Sequence, residues 1–121
     1  MRVVIPCETD EGLDAPRSGH FGHAPWLTVV DLDDQLDVTD VQSVKNADHD
    51  TMGCAGVIEH VMKLNADAII TAGMGMPPLM RFTGAGIAVY ADREMPTAGH
   101  VLSRFLFGEV ERMSPDDACR H

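Results

Sequence analysis

Apolar positions along the chain fall into short runs separated by stretches rich in glycine, proline and acidic residues, a pattern that predicts strands alternating with helices. Arg2 to Pro6 (RVVIP) is β-branched and stops at a proline, which predicts a buried strand. Residues 7–25 hold Gly12, Pro16, Gly19, Gly22 and Pro25, too many breakers for a regular element. A loop of this length inside a compact domain is usually functional. Trp26 to Leu32 (WLTVVDL) predicts a second strand. Asp33-Asp34-Gln35 is a turn, and Leu36 to Lys45 alternates as a third strand, so 26–45 reads as a hairpin.

Asn46 to Gly53 (NADHDTMG) is a second polar loop, predicted to open a helix at Cys54. From there Cys54, Val57, Ile58, Val61 and Leu64 share one helical face, and Glu59 and Lys63 form an i,i+4 pair on the other. Asp67 to Ala72 (DAIITA) predicts a fully buried strand. It runs into Gly73-Met74-Gly75-Met76 and then Pro77-Pro78, where proline marks a helix start and the helix ends near Gly84 to Gly86. Ile87 to Ala91 predicts a fifth strand. Thr97 is a good N-cap for a last helix bearing Val101, Leu102, Phe105 and Leu106, with Gly108 as its stop. The expected fold is α/β: a five-stranded mixed sheet flanked by helices, its strand–helix–strand units parallel and its hairpin antiparallel. One domain is expected over 1–108, followed by a polar C-terminal tail at 109–121.

At 121 residues, with 45% apolar and 23% charged content, the chain can bury a core and fits one domain. No apolar run reaches the length of a membrane span, and the N-terminus lacks the pattern of a signal peptide, so a cytoplasmic location is expected. The net charge of −10, with its nine basic residues scattered, argues against nucleic acid and against a membrane surface. Three cysteines, Cys7, Cys54 and Cys119, cannot all pair, and none stands in a CxxC motif. Each also reads as a small buried apolar residue.

Candidate chemistry concentrates in four places. In SGHFGHAPW, His20 and His23 flank Phe21 between glycines, which lets two imidazoles turn toward a common ligand; alternatively one histidine caps a turn while Phe21 anchors the loop. In HDTMGCAG, Cys54 in the first turn of a helix would have its thiol pKa lowered, a state that binds soft metals, with His49 upstream across the loop. The alternative is that Cys54 only begins the apolar face. In AGMGMPP, Gly73, Met74, Gly75 and Met76 follow a strand and open a helix, half of a dinucleotide fingerprint whose third glycine is replaced by Pro78. What remains is a glycine-lined loop with backbone N–H groups at a helix start, an anion-binding shape, crowded by Met74, Met76 and Met80. Cys119 and His121 in the closing CRH could chelate a metal or have no role. No catalytic triad or framed carboxylate pair is legible, and no enzyme activity is expected.

Taken together, GLDAPRSGHFGHAPWLTVVD, GCAGVIEH and DAIITAGMGMPPLMRFTGAGIAVYA resemble, in that order and over nearly the whole chain, the dinitrogenase iron–molybdenum cofactor biosynthesis family. The resemblance implies a ribonuclease H-like fold without nuclease activity, and RVVIP indeed carries no acidic residue for a two-metal site. It also implies a carrier or scaffold of metal–sulfur clusters, of iron–molybdenum or iron–sulfur type. In the orange-protein branch the cluster is a molybdenum–copper sulfide held without ordinary covalent ligation. The expected cargo site comprises His20, Phe21, His23, His49, Gly53, Cys54, Gly73, Met74, Gly75 and Met76, with Cys54, His20 and His23 as direct or near ligands and no nucleotide. Because thiometallates are anions, the helix starts at Gly53-Cys54 and Gly75-Met76 would supply the local positive potential. Partners would be cluster-assembly or acceptor proteins. The competing expectation is a protein–protein adaptor of the same fold that binds no cluster.

Overall fold

The computed structural model describes residues 1–47 and 49–115, the side chains of 49–54 excepted. The strands are β1 (Arg2–Cys7), β2 (Trp26–Leu32), β3 (Val38–Lys45), β4 (Ala68–Thr71), β5 (Ala88–Ala91) and β6 (Glu111–Arg112). The helices are α1 (His49–Met62), α2 (Met76–Gly84) and α3 (Ala98–Leu106), with a 3-10 turn at Gly12–Asp14. One mixed sheet runs in the order β3-β2-β1-β4-β5-β6. β1, β4 and β5 are parallel; the β2–β3 hairpin joins one side antiparallel, and β6 closes the other.

The period of two divides each central strand between two cores. Val4, Leu27, Val29, Ile69 and Val89 meet Val57, Ile58 and Val61 of α1 and Leu79 and Phe82 of α2. Val3, Ile5, Val30, Ala68 and Ile70 meet Val101 and Leu102 of α3. Burial on both faces is why RVVI and DAII read as continuous apolar runs and do not alternate.

Two expectations are corrected. The sheet has six strands, because β6 pairs with β5 through Tyr90–Arg112 and Ala91–Glu111, and Met113 N donates to Val89 O. Residues 109–113 are thus part of the fold, with Val110 and Met113 buried on either side of a two-residue strand too short to show a period. Secondly, α1 begins at His49, which places Gly53 and Cys54 in the helix interior and out of its first turn. Amphipathic periodicity begins only where the apolar face begins; a polar leading turn carries no such signal, so the start is read about a turn and a half late.

The loop after β1 folds back on its own strand. Glu8 N donates to Pro16 O and Ser18 N to Pro6 O, and residues 15–17 are stitched to the start of α3 by Arg17 N to Pro96 O and Ala98 N to Ala15 O. Gly99 permits this approach, since a Cβ there would stand 3.0 Å from Leu13 O. α3 is capped by Thr97, whose side chain accepts from His100 N.

Candidate functional site

The carboxyl ends of β1, β4 and β5 lie on one edge of the sheet, where open α/β sheets place ligands. Two loops meet there. Phe21 N donates to Gly73 O at 3.0 Å, joining the 18–25 loop to the turn after β4. That turn is held from within: Thr71 Oγ1 donates to Gly73 O at 2.9 Å and accepts from Gly73 N at 3.2 Å. Asn46, just past β3, clamps the far end of the 18–25 loop. Its Nδ2 donates to Ala24 O at 2.9 Å and Phe21 O at 3.5 Å, and its backbone N donates to Pro25 O. Ser18 Oγ bridges His20 N and His20 O.

This scaffold leaves the rings of His20 and His23 exposed, with centroids 6.4 Å apart and planes nearly perpendicular. Phe21 points the other way. Its ring is buried against Phe82, edge to face with centroids at 5.3 Å. Of the residues expected at the site, the structure brings His20, Phe21, His23, Gly73, Gly75 and Met76 to the two meeting loops. Phe21 contributes a backbone N–H there and a core ring elsewhere. Met74 is buried in the core that holds Phe21 and Phe82, while Met76 is exposed. The side chains of His49 and Cys54, and the whole of Cys119 and His121, lie outside the described residues.

The electrostatic expectation also changes. With α1 starting at His49, Cys54 is beyond the first turn, where the helix dipole acts on a thiol. At α2, Gly75 is the N-cap, but Pro77 and Pro78 carry no N–H, and Leu79 N is already bonded to Gly75 O. Met76 is therefore the one first-turn residue of α2 with an N–H to offer an anion. Among the described residues no group of three or more His, Cys, Asp or Glu side chains is placed to hold a metal ion. Cys7 is buried, accepts a hydrogen bond from Thr28 Oγ1 and has its thiol pushed up by burial, as a small apolar filler would.

Sequence reasoning missed an ionic cluster beside these loops. Arg17 Nη1 lies 3.2 Å from Asp92 Oδ1 and donates to Met95 O, and Arg104 approaches the other carboxylate oxygen at 3.8 Å. Burial works against the Asp92 carboxylate. Backbone N–H bonds from Met95 and Glu94 and the two guanidinium charges prevail, and hold it below the ordinary carboxylate range. Burial pulls the Arg17 guanidinium down. A charge placed among breakers in a long loop gave no hint of burial. Asn46 and Thr71 were missed for the same reason, since their value lies in which distant carbonyl they reach.

Fold and candidate site define an α/β protein with two hydrogen-bonded loops at the carboxyl edge of a mixed sheet. The family model for dinitrogenase iron–molybdenum cofactor proteins matches residues 1–108, and the chain belongs to that family. Among solved structures it is similar to the apo form of the orange protein from Desulfovibrio gigas, with 26% identity, a TM-score of 0.77, and coverage of 93% of this chain and 92% of that one. A Methanocaldococcus jannaschii structure shares the fold at 21% identity and a TM-score of 0.72, over 94% of this chain and 95% of its own. A Thermotoga structure solved by NMR does so at 23% identity and a TM-score of 0.76, over 92% and 91%. No curated protein matches the sequence. No helix among the described residues is long and apolar enough to cross a membrane.

Proposed function

We propose that this protein binds and carries, or scaffolds, a metal–sulfur cluster as cargo, of molybdenum–copper sulfide or iron–molybdenum type, and performs no catalysis on it. The observation that supports this most is the Phe21–Gly73 hydrogen bond. It joins the loop that carries the exposed His20 and His23 to the turn that runs from buried Gly73 to exposed Met76 at the sheet edge. Family membership and the likeness to the orange protein agree with it. We read the architecture as ribonuclease H-like, with the parallel trio β1-β4-β5 carrying an antiparallel hairpin, the cargo-binding domain as centred on 1–108, and the setting as cytoplasmic.

The residues present suit a cluster that brings its own sulfide ligands better than a bare ion. Two imidazoles can coordinate or hydrogen-bond such a cluster but cannot complete a metal's ligand set. His20 and His23 would face the cargo, with Met76 and the Gly75 backbone against its other side, while buried Gly73, its N–H and C=O spent on Thr71 and Phe21, shapes the loop beneath. Cys54 and His49 keep their proposed roles as further contacts. Because the helix dipole no longer favours a Cys54 thiolate, the metal itself would have to drive its deprotonation.

The test is anaerobic reconstitution with thiomolybdate and copper(I), and separately with iron and sulfide, followed by desalting, metal analysis and an absorption spectrum. Stoichiometric retention with charge-transfer bands, weakened in a His20→Ala/His23→Ala variant, is the expected result. No retained metal under either condition overturns the proposal and leaves the adaptor reading.

A further inference from the structure

The Arg17–Asp92–Arg104 cluster is incompletely satisfied. The side chain of Arg17 is 4% exposed and that of Asp92 8%. Arg17 spends Nη1 on Asp92 and Met95 O, yet among the described residues its buried Nε and Nη2 have no hydrogen-bond partner, and Arg104 Nε has only the 3.8 Å ion pair with Asp92. Two guanidiniums against one carboxylate leave a formal charge of +1, with the Arg17 and Asp92 side chains shielded from water and that of Arg104 35% exposed. Buried donors are almost always paired, and an orphaned charged one is costly, so each needs an explanation. The Nε and Nη2 groups form the side-on edge of the guanidinium, whose parallel N–H bonds match two oxygens of a single anion.

Arg17 occupies the crossing point of the chain. Its backbone bridges to Cys7 at the end of β1 and to Pro96 before α3, while four residues later Phe21 enters the opposite core. Asp92 directly follows β5. The orphaned edge therefore belongs to the carboxyl edge of the parallel strands, on the side of the sheet that α3 covers.

We propose that Arg17, through Nε and Nη2, with Arg104 supplying the second positive charge, binds one compact tetrahedral oxyanion of the sulfate, phosphate or molybdate class. The fork takes two of its oxygens, and the anion's charge offsets the excess that Asp92 leaves. A site of this kind is separate from the histidine surface and does not depend on the metal–sulfur proposal. Shielding from water makes it selective for a small ion that can shed its hydration.

Thermal unfolding of the protein in chloride at fixed ionic strength, with sulfate, phosphate or molybdate titrated in, tests this. A saturable rise in melting temperature is expected for at least one of the three, and which one identifies the physiological class. Arg17→Lys keeps the charge facing Asp92 and loses the fork; its apparent affinity should fall by about tenfold or more, as expected for losing a bidentate charge-assisted pair. In the wild-type protein the assigned Arg17 Nε–H resonance should move with the same saturation curve, a readout that stands even if the variant does not fold. An unsaturable response common to all salts, or an Nε–H resonance that stays put while the melting temperature rises, overturns the site.

Discussion

Phe21 lies in the middle of the histidine motif, yet its ring is a core element, and the two roles respond differently to substitution. Phe21→Ala removes a buried ring worth about 1.5–3 kcal/mol in transfer. It also removes an edge-to-face partner of Phe82 worth about 0.5–1.5 kcal/mol and leaves part of the ring volume as a cavity. The sum agrees with the range of about 3–5 kcal/mol observed for such truncations in cores. A domain of this size holds about 5–15 kcal/mol in total, so the variant should still fold, with its melting temperature lowered by about 10 °C or more. Urea unfolding followed by far-ultraviolet circular dichroism should show a lower midpoint at unchanged slope. Phe21→Leu should restore most of the stability and with it cluster uptake, because the backbone N–H to Gly73 is kept. A loss under about 1 kcal/mol for Phe21→Ala would refute the anchor role, as would a stable Phe21→Leu variant that no longer takes up cluster.

Asn46→Ala should cost about 1–3 kcal/mol, since it strips a donor from the Ala24 carbonyl, and should broaden the NMR signals of residues 20–25 while β4 stays sharp. Asp92→Asn should cost about 3–5 kcal/mol at pH 7 by leaving two guanidiniums without their carboxylate. The folded-state pKa of Asp92 is depressed, so its contribution is complete above the unfolded carboxyl value near 4 and fades as pH falls through the lower folded value. Urea midpoints of wild type and Asp92→Asn should therefore converge below about pH 4 and stay apart at pH 5 to 7. Thr97→Ala should cost about 1 kcal/mol through the lost cap of α3, with Thr97→Ser nearly silent in the same titration.

How much was legible can be judged residue by residue. RVVI and DAII announced their strands because burial on both faces makes a nearly continuous apolar run, and WLTVVDL did so through its β-branched and aromatic content; both are purely local signals. The helix start marked by Pro77-Pro78, the cap at Thr97 and the stop at Gly108 were equally local. The start of α1 was not, since a polar first turn leaves no periodic trace, and neither was β6, two residues long and held by what packs beside it. At the site, the motif containing His20 and His23 was visible as residue types between breakers. Sequence alone could not tell that Phe21 and Met74 turn inward, because both the core and a pocket accept an apolar side chain.

By itself, then, the amino-acid sequence determined the alternation of elements, the positions of the two candidate site loops and the family to which the chain belongs. Those properties reside in neighbouring residues, in periodicity, turn chemistry and motif order. Only the tertiary structure decided which loops touch, that Asn46 and Gly73 hold them together, and that the Arg17 side chain is buried with its Nε and Nη2 donors unmet among the described residues. A hydrogen bond between residues 21 and 73, or an ion pair between 17 and 92, depends on the strand order of the sheet, which is set by packing on both faces at once.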